Sequence, residues 1–155
     1  MDRMDRAILA LLQADSSQPL SAVADKAGLS LSACHRRVKL LEAEGVIRGY
    51  GARLNAQALG LEIEVFVEIS LNSQAQAALE RFEQAVLRYD EILECKLTSG
   101  ASDYILRIVA ENVADYDRIH RHTLARLPGV ASMRSIFMLR SIKDWRGLPV
   151  SGESR

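Results

Sequence analysis

Apolar positions along the chain follow two different periods, and the change between them divides it. Near the start, Ile8, Leu11 and Leu12 recur at helical spacing, which predicts a helix over 5–14, and Asp15-Ser16-Ser17-Gln18-Pro19 supplies its breakers. A second, short helix follows, with Ser21 as its cap, Val23 and Ala27 facing inward, and Gly28 ending it in a left-handed conformation that a side chain would penalise. Leu29 anchors the turn. Ser30 caps a third helix over 31–44, which Gly45 stops. Residues 46–55 then hold short apolar pairs broken by Gly and Arg, consistent with a strand or small wing that also links two domains.

From Glu62 the period becomes two. Ile63, Val65, Val67, Ile69 and Leu71 fall on one face, and Glu62, Glu64, Phe66, Glu68 and Ser70 on the other, which marks a strand. The helical period returns over 75–89 through Ala78, Leu79, Phe82, Val86 and Tyr89. Two strands, 92–98 and 104–110, are joined by the tight segment Ser99-Gly100-Ala101-Ser102-Asp103; a helix spans 113–127 and ends at Pro128-Gly129; a last long strand covers 131–143. This β-α-β-β-α-β order is the ferredoxin-like split unit, a four-stranded antiparallel sheet with two helices on one face. The fold class is therefore α+β, an N-terminal winged helix-turn-helix plus a C-terminal ferredoxin-like domain. The expected divisions are a helix-turn-helix domain at 1–50, a linker strand at 51–61, the ferredoxin-like domain at 62–145 and a tail at 146–155. Phe66 and the last strand (Met133, Phe137 and Leu139 against Ile136, Met138 and Ile142) place apolar side chains on both sheet faces, so the uncovered face predicts self-association.

The helix-turn-helix outline rests on two short helices across a Gly-containing turn, and the third helix sharpens it. At 100° per residue, Cys34, Val38 and Leu41 converge on one side, while Ser32, His35, Arg36 and Lys39 converge on the other. That side is narrow, basic and rich in hydrogen-bond donors, which suits a major groove; an ordinary solvated face has the same outline. Arg37 projects toward the edge of the apolar side, where an ion pair, with Asp25 as one partner, or a phosphate contact fits better than base reading. Arg48 and Arg53 can touch phosphates or simply solubilise the hinge. The candidate DNA-binding set is Ser30, Ser32, His35, Arg36, Arg37, Lys39 and Arg48.

Charge supports this division. The 155 residues carry 20 Lys+Arg and 20 Asp+Glu, which argues against wholesale polyanion binding, yet residues 1–55 hold eight basic and six acidic side chains and residues 56–155 hold 12 and 14. With 48% hydrophobic residues and no run long enough for a membrane span, the chain reads as a soluble cytoplasmic protein, and its start, Met1-Asp2-Arg3-Met4-Asp5-Arg6, has no secretion signal. Cys34 and Cys95, far apart in apolar surroundings, read as reduced, buried thiols rather than a disulfide or zinc site.

Dispersed motifs in the right order carry a resemblance: Asp5-Arg6-Ala7-Ile8-Leu9; Gly28-Leu29-Ser30 with Cys34, Arg37-Val38 and Leu41-Glu42; Gly45-Val46-Ile47-Arg48-Gly49-Tyr50; then Phe66-Val67-Glu68-Ile69, Glu94-Cys95, Ser99-Gly100 with Asp103-Tyr104, Leu127-Pro128-Gly129-Val130 and Ile142-Lys143. Over residues 3 to about 150 the chain resembles the Lrp/AsnC family, the feast/famine transcription regulators. The resemblance implies a nucleoid-associated regulator that binds double-stranded DNA, a homodimer assembling into a higher oligomer such as an octamer, and an amino-acid effector but no cofactor or metal. It also implies where the effector lies: between dimers, near Ser99, Gly100, Ala101, Ser102, Asp103 and Tyr104. The partner subunit contributes the stretch after the Pro-Gly turn, which includes Met133 and Ser135. In that setting Gly100 would let the backbone approach an α-carboxylate and Asp103 would hold an α-ammonium; a plain hairpin turn with Asp103 bonding its own backbone is the alternative. The loop departs from common members in its small Ala101 and Ser102, and Met133 stands where Thr is frequent. Gly147-Leu148-Pro149-Val150 resembles the tail of a subgroup that includes regulators of amino-acid catabolism, which points to amino-acid metabolism genes as targets.

Other classes find less support. An enzyme would need a phosphate-cradling Gly-rich loop, a nucleophile elbow or a His-Glu-x-x-His pair, and the chain has none. His120 and His122, at i,i+2 on a helix, point apart and do not share a metal easily; Asp115 and Asp117 fail as a catalytic pair for the same reason. A sensor acting through protein partners would need an apolar anchor that the Ser32/His35/Arg36/Lys39 set does not contain. A regulator of this kind without an amino-acid effector stays open as well.

Overall fold

Three helices build the first unit around a small apolar centre: α1 (Arg3–Ala14), α2 (Leu20–Ala27) and α3 (Leu31–Ala43). Asp2 caps α1 in a reciprocal box, its carboxylate accepting from the Asp5 N–H at 2.9 Å while Asp5 accepts from the Asp2 N–H at 2.8 Å. The start of α2 departs from expectation. Pro19, not Ser21, is its cap, because the fixed φ of proline (−63°) presents the Pro19 carbonyl to Ala22 N–H at 2.9 Å, and Ser21 falls inside the first turn. Gly28 ends α2 at φ +68°, as the turn requires, and Ser30 caps α3 by accepting from Ala33 N–H at 3.2 Å. Ile8, Val23, Ala24, Ala27, Cys34 and Val38 form the core, closed at its margin by Leu11, Leu12, Leu20, Leu29 and Ile47.

The computed structural model describes residues 1–150 and resolves two compact units, 54–142 and a first unit made of 1–53 together with 143–150. Residues 151–155 of the expected tail lie outside the described residues. In the segment after α3, residues 46–56 run without strand pairing within this chain, then make one 3-10 turn at Gln57–Leu59. A strand needs a ladder partner, and no described residue of the chain pairs with this segment. Instead the tail returns to the first unit. Gln13 Nε2 donates to the Leu148 carbonyl at 3.0 Å, and Leu148 N–H donates to Gln13 Oε1 at 2.6 Å. Gly147, at φ +108°, makes this possible: a Cβ there would stand 2.5 Å from Gln13 Oε1. Leu9, Leu12, Ile47, Trp145 and Leu148 line the apolar groove so formed.

The second unit is an antiparallel sheet in the order β2-β3-β1-β4, from β1 (Ile63–Leu71), β2 (Ile92–Leu97), β3 (Tyr104–Ala110) and β4 (Val130–Phe137). Helices α4 (Gln76–Val86) and α5 (Val113–His122) contribute Phe82, Val86, Tyr116 and Ile119 to a core with Val65, Val67, Ile69, Leu106 and Ile108. The register, Phe66 opposite Arg107 and Ile136, puts Phe66, Ile105, Val109 and Ile136 on the other face. There they are interleaved with ion pairs from Arg107 to Glu64 and Glu94 and from Arg134 to Glu68. Three elements fall short of expectation by several residues, the first being the helix over 75–89, which stops at Val86. The helix over 113–127 stops at His122 and continues as a 3-10 turn, Leu124–Arg126. The last strand stops at Phe137, because β4 pairs only with β1 and its final bond, Met138 N–H to the Glu64 carbonyl, reaches the beginning of β1. Beyond that point Leu139 is 95% exposed.

Candidate functional site

Burial of Cys34, Val38 and Leu41 fixes the rotation of α3 and thereby exposes Ser32, His35, Arg36 and Lys39 together. Lys39 Nζ lies 2.8 Å from Glu42 Oε2, and Tyr50 Oη donates to the other oxygen of Glu42 at 2.9 Å. These two donors, the lysine first, hold the Glu42 carboxyl below its usual range, while partial desolvation and the neighbouring carboxylate push the Tyr50 phenol up to about 12. The Tyr50 ring thus pins the chain after α3 to the helix, a contact that sequence reading missed because the pair spans a Gly-containing turn. Arg48 is exposed beyond it, and Arg53 Nη2 donates to the Gln13 carbonyl at 3.0 Å.

Arg37 is placed differently from the rest of the candidate set. Its Nη1 lies 2.7 Å from Asp5 Oδ1 and 2.8 Å from Asp2 Oδ2, so the expected ion pair forms with the cap of α1 and not with Asp25. Those carboxylates, Asp5 first, raise its already high pKa further. Ser30 likewise acts within the fold, as the cap of α3, with its Oγ 3.2 Å from Ser32 Oγ.

In the second unit, Ser99, Gly100 and Ala101 are exposed at the tip of the β2–β3 connection and Ser102 is half-buried. The base of the loop is tied by Thr98 N–H to the Asp103 carbonyl at 2.8 Å and by the Thr98 hydroxyl to the Ser102 carbonyl. Gly100 has no left-handed φ, and a Cβ there would meet nothing nearer than Thr98 Oγ1 at 4.0 Å, so the loop does not itself require glycine. Asp103 does not make the local turn contact that was the alternative. Its Oδ2 accepts from Leu71 N–H at 2.7 Å and its Oδ1 from Gln74 Nε2 at 3.0 Å, which fastens the end of β1 and the approach to α4.

Tyr104 does not line the loop. Strand alternation turns its ring inward, where it is 1% exposed, stacks 4.6 Å from Phe82 and donates its phenol to Glu83 Oε1 at 2.8 Å; burial, then this carboxylate, raises its pKa well above normal. Met133 packs half-buried against the core, and Ser135 Oγ lies 2.6 Å from Tyr116 Oη. Among the described residues no three His, Cys, Asp or Glu side chains gather closely enough to hold a metal ion.

Known proteins match both units. A family model described as winged helix-turn-helix DNA-binding covers residues 1–48, and one described as Lrp/AsnC ligand binding domain covers residues 64–148. The chain is 40% identical over 144 residues, 93% of its length and 88% of the relative's, to the leucine-responsive regulatory protein of Escherichia coli strain K12. Its fold matches an AsnC-family transcriptional regulator from Agrobacterium tumefaciens at a TM-score of 0.91, 36% identity and 97% coverage of each chain. It also matches a Neisseria meningitidis transcriptional regulator solved as an L-Met complex, at a TM-score of 0.91, 31% identity and 97% coverage of each. The chain belongs to the Lrp/AsnC family of transcriptional regulators, joining a DNA-binding winged helix-turn-helix to a ligand-binding domain.

Proposed function

We propose that this protein controls amino-acid metabolism genes by inserting α3 into successive major grooves of double-stranded DNA, acting as homodimers that assemble further, as far as an octamer, in the cytoplasm and on the nucleoid. One observation carries the reading: Ser32, His35, Arg36 and Lys39 stand exposed together above a helix rotation locked by Cys34, Val38 and Leu41. Arg36 and Lys39 contact guanine edges or phosphates, Ser32 and His35 read neighbouring edges, and Ser30 and Arg48 sit on the backbone. Arg37 supports the domain instead. A symmetric dimer presents two such helices, so half-sites lie near one helical turn apart or a multiple of it. Charge reversal at Arg36 and Lys39 tests this: salt-dependent DNA affinity is lost while assembly is kept, and undiminished affinity in the double variant refutes the assignment.

The ligand is an amino acid held at the 99–103 loop with Met133 and Ser135 of a second subunit. The support is Gly100, a glycine the loop does not need for its own conformation, together with the L-Met bound by the Neisseria relative. Thermal unfolding against each of the twenty amino acids tests it, since a native-state ligand at about 100 times its Kd adds about 2.7 kcal/mol. A selective rise in Tm names the effector. No rise with any of them favours a regulator without an amino-acid effector, a reading that draws support from the engagement of both Asp103 oxygens by Leu71 and Gln74.

A further inference from the structure

Leu31 opens α3 directly after the Ser30 cap and is 53% exposed. It takes no part in the core, although Cys34 and Val38, three and seven residues on, are buried there. Leu31, Ser32 and His35 together line one shallow depression on the surface, and Leu31 and His35 are a helical turn apart, so the leucine is a direct neighbour of two polar groups of the proposed groove face. A single exposed leucine is ordinary on a protein surface. This one is set where the N-terminal residues of a helix-turn-helix recognition helix meet base edges. Bases present one apolar group in the major groove, the C5-methyl of thymine, and an aliphatic side chain is its natural contact.

We propose that Leu31 is a specificity-determining residue that packs on the C5-methyl group of a thymine in each half-site. Ser32 and His35 read polar edges on either side, so the face combines one apolar reader with hydrogen-bonding ones. The inference rests on α3 being the groove helix, and its test separates the two.

A duplex is selected from a random pool with the full-length protein, and affinity is measured at fixed salt as each dT is replaced singly by dU, which removes only the methyl group. At one position per half-site the replacement weakens wild-type binding about three- to tenfold, the scale of losing one buried methyl-sized group. Leu31→Ala loses as much on the original duplex and no longer distinguishes dU from dT, whereas Leu31→Met, which keeps an apolar reach, still does. Circular dichroism and Tm of both variants match wild type. Tolerance of dU at every position, or a dU penalty that persists in Leu31→Ala, overturns the assignment. Joint reversal of Arg36 and Lys39 serves as the control: if that variant keeps full affinity, the groove-helix reading falls and takes Leu31 with it; if it loses affinity while dU costs nothing, only the Leu31 assignment falls.

Discussion

The Arg37 guanidinium bridges to Asp5 at 2.7 Å and thereby ties the middle of α3 to the first turn of α1. Asp2 joins the same nitrogen at 2.8 Å, so the capping box of one helix doubles as an anion pair for another. Arg37→Ala is expected to lower Tm at neutral pH. The Asp5 N–H first, and Arg37 second, hold the Asp2 pKa below its usual 3.8. A depressed carboxylate contributes stability that is present above the unfolded pKa and lost as pH falls through the folded one. The Tm gap between wild type and Arg37→Ala therefore narrows below about pH 4; a gap that is constant from pH 7 to pH 3 contradicts this role.

Arg48 is expected to act on affinity without acting on sequence preference. If its exposed guanidinium neutralises one phosphate, Arg48→Ala reduces the slope of log K against log salt by about 0.9 and weakens selected and random duplexes alike. A slope equal to that of wild type removes Arg48 from the interface.

Gly147→Ala is expected to cost roughly 1–2 kcal/mol from its left-handed backbone alone, with the overlap on the Gln13 amide added to it. Gln13→Ala removes the overlapping amide, so the double variant loses less than the sum of the two single losses, which chemical denaturation can measure. Strict additivity would mean that the tail does not dock on α1.

Two loop variants separate fold from ligand. Asp103→Ala leaves Leu71 N–H without its acceptor and lowers stability by about 1–3 kcal/mol even without ligand. The Cβ added by Gly100→Val meets nothing nearer than Thr98 Oγ1 at 4.0 Å on an exposed loop, so the unliganded protein is expected to stay within about 0.5 kcal/mol of wild type, while any amino-acid-induced Tm rise disappears. A rise that survives Gly100→Val moves the ligand away from this loop.

The sequence made α3, its Ser30 cap, the Gly28 turn and the bounds of β3 legible, because each follows from local periodicity or from a backbone conformation that few residues adopt. It placed Arg37 at the edge of the apolar stripe but not its partners, since Asp2 and Asp5 lie 35 and 32 residues away and nothing local links them. Tyr104 was read with the loop that precedes it; strand alternation and Phe82 claim its ring for the core. The extended stretch after α3 carries strand-like residues, yet a strand is a property of a pair, and the second member is not encoded nearby. The ends of the last strand and the last helix were set by where their neighbours stop. Leu31 carries no distinguishing signal in the sequence, because an exposed leucine and a core leucine at the margin of a helix's apolar stripe read alike.

The docking of Leu148 on Gln13 joins groups 135 residues apart, which bears on how the protein is made. A chain emerging from the ribosome can assemble the three-helix core as soon as Ile47 is free, since the residues of that core cluster lie between Ile8 and Ile47. Its surface is completed only when residues 145–148 have followed. Until then the Gln13 amide has no peptide to grip and the apolar groove along Leu9 and Leu12 has no roof, so the core of the DNA-binding unit can form long before its surface is finished.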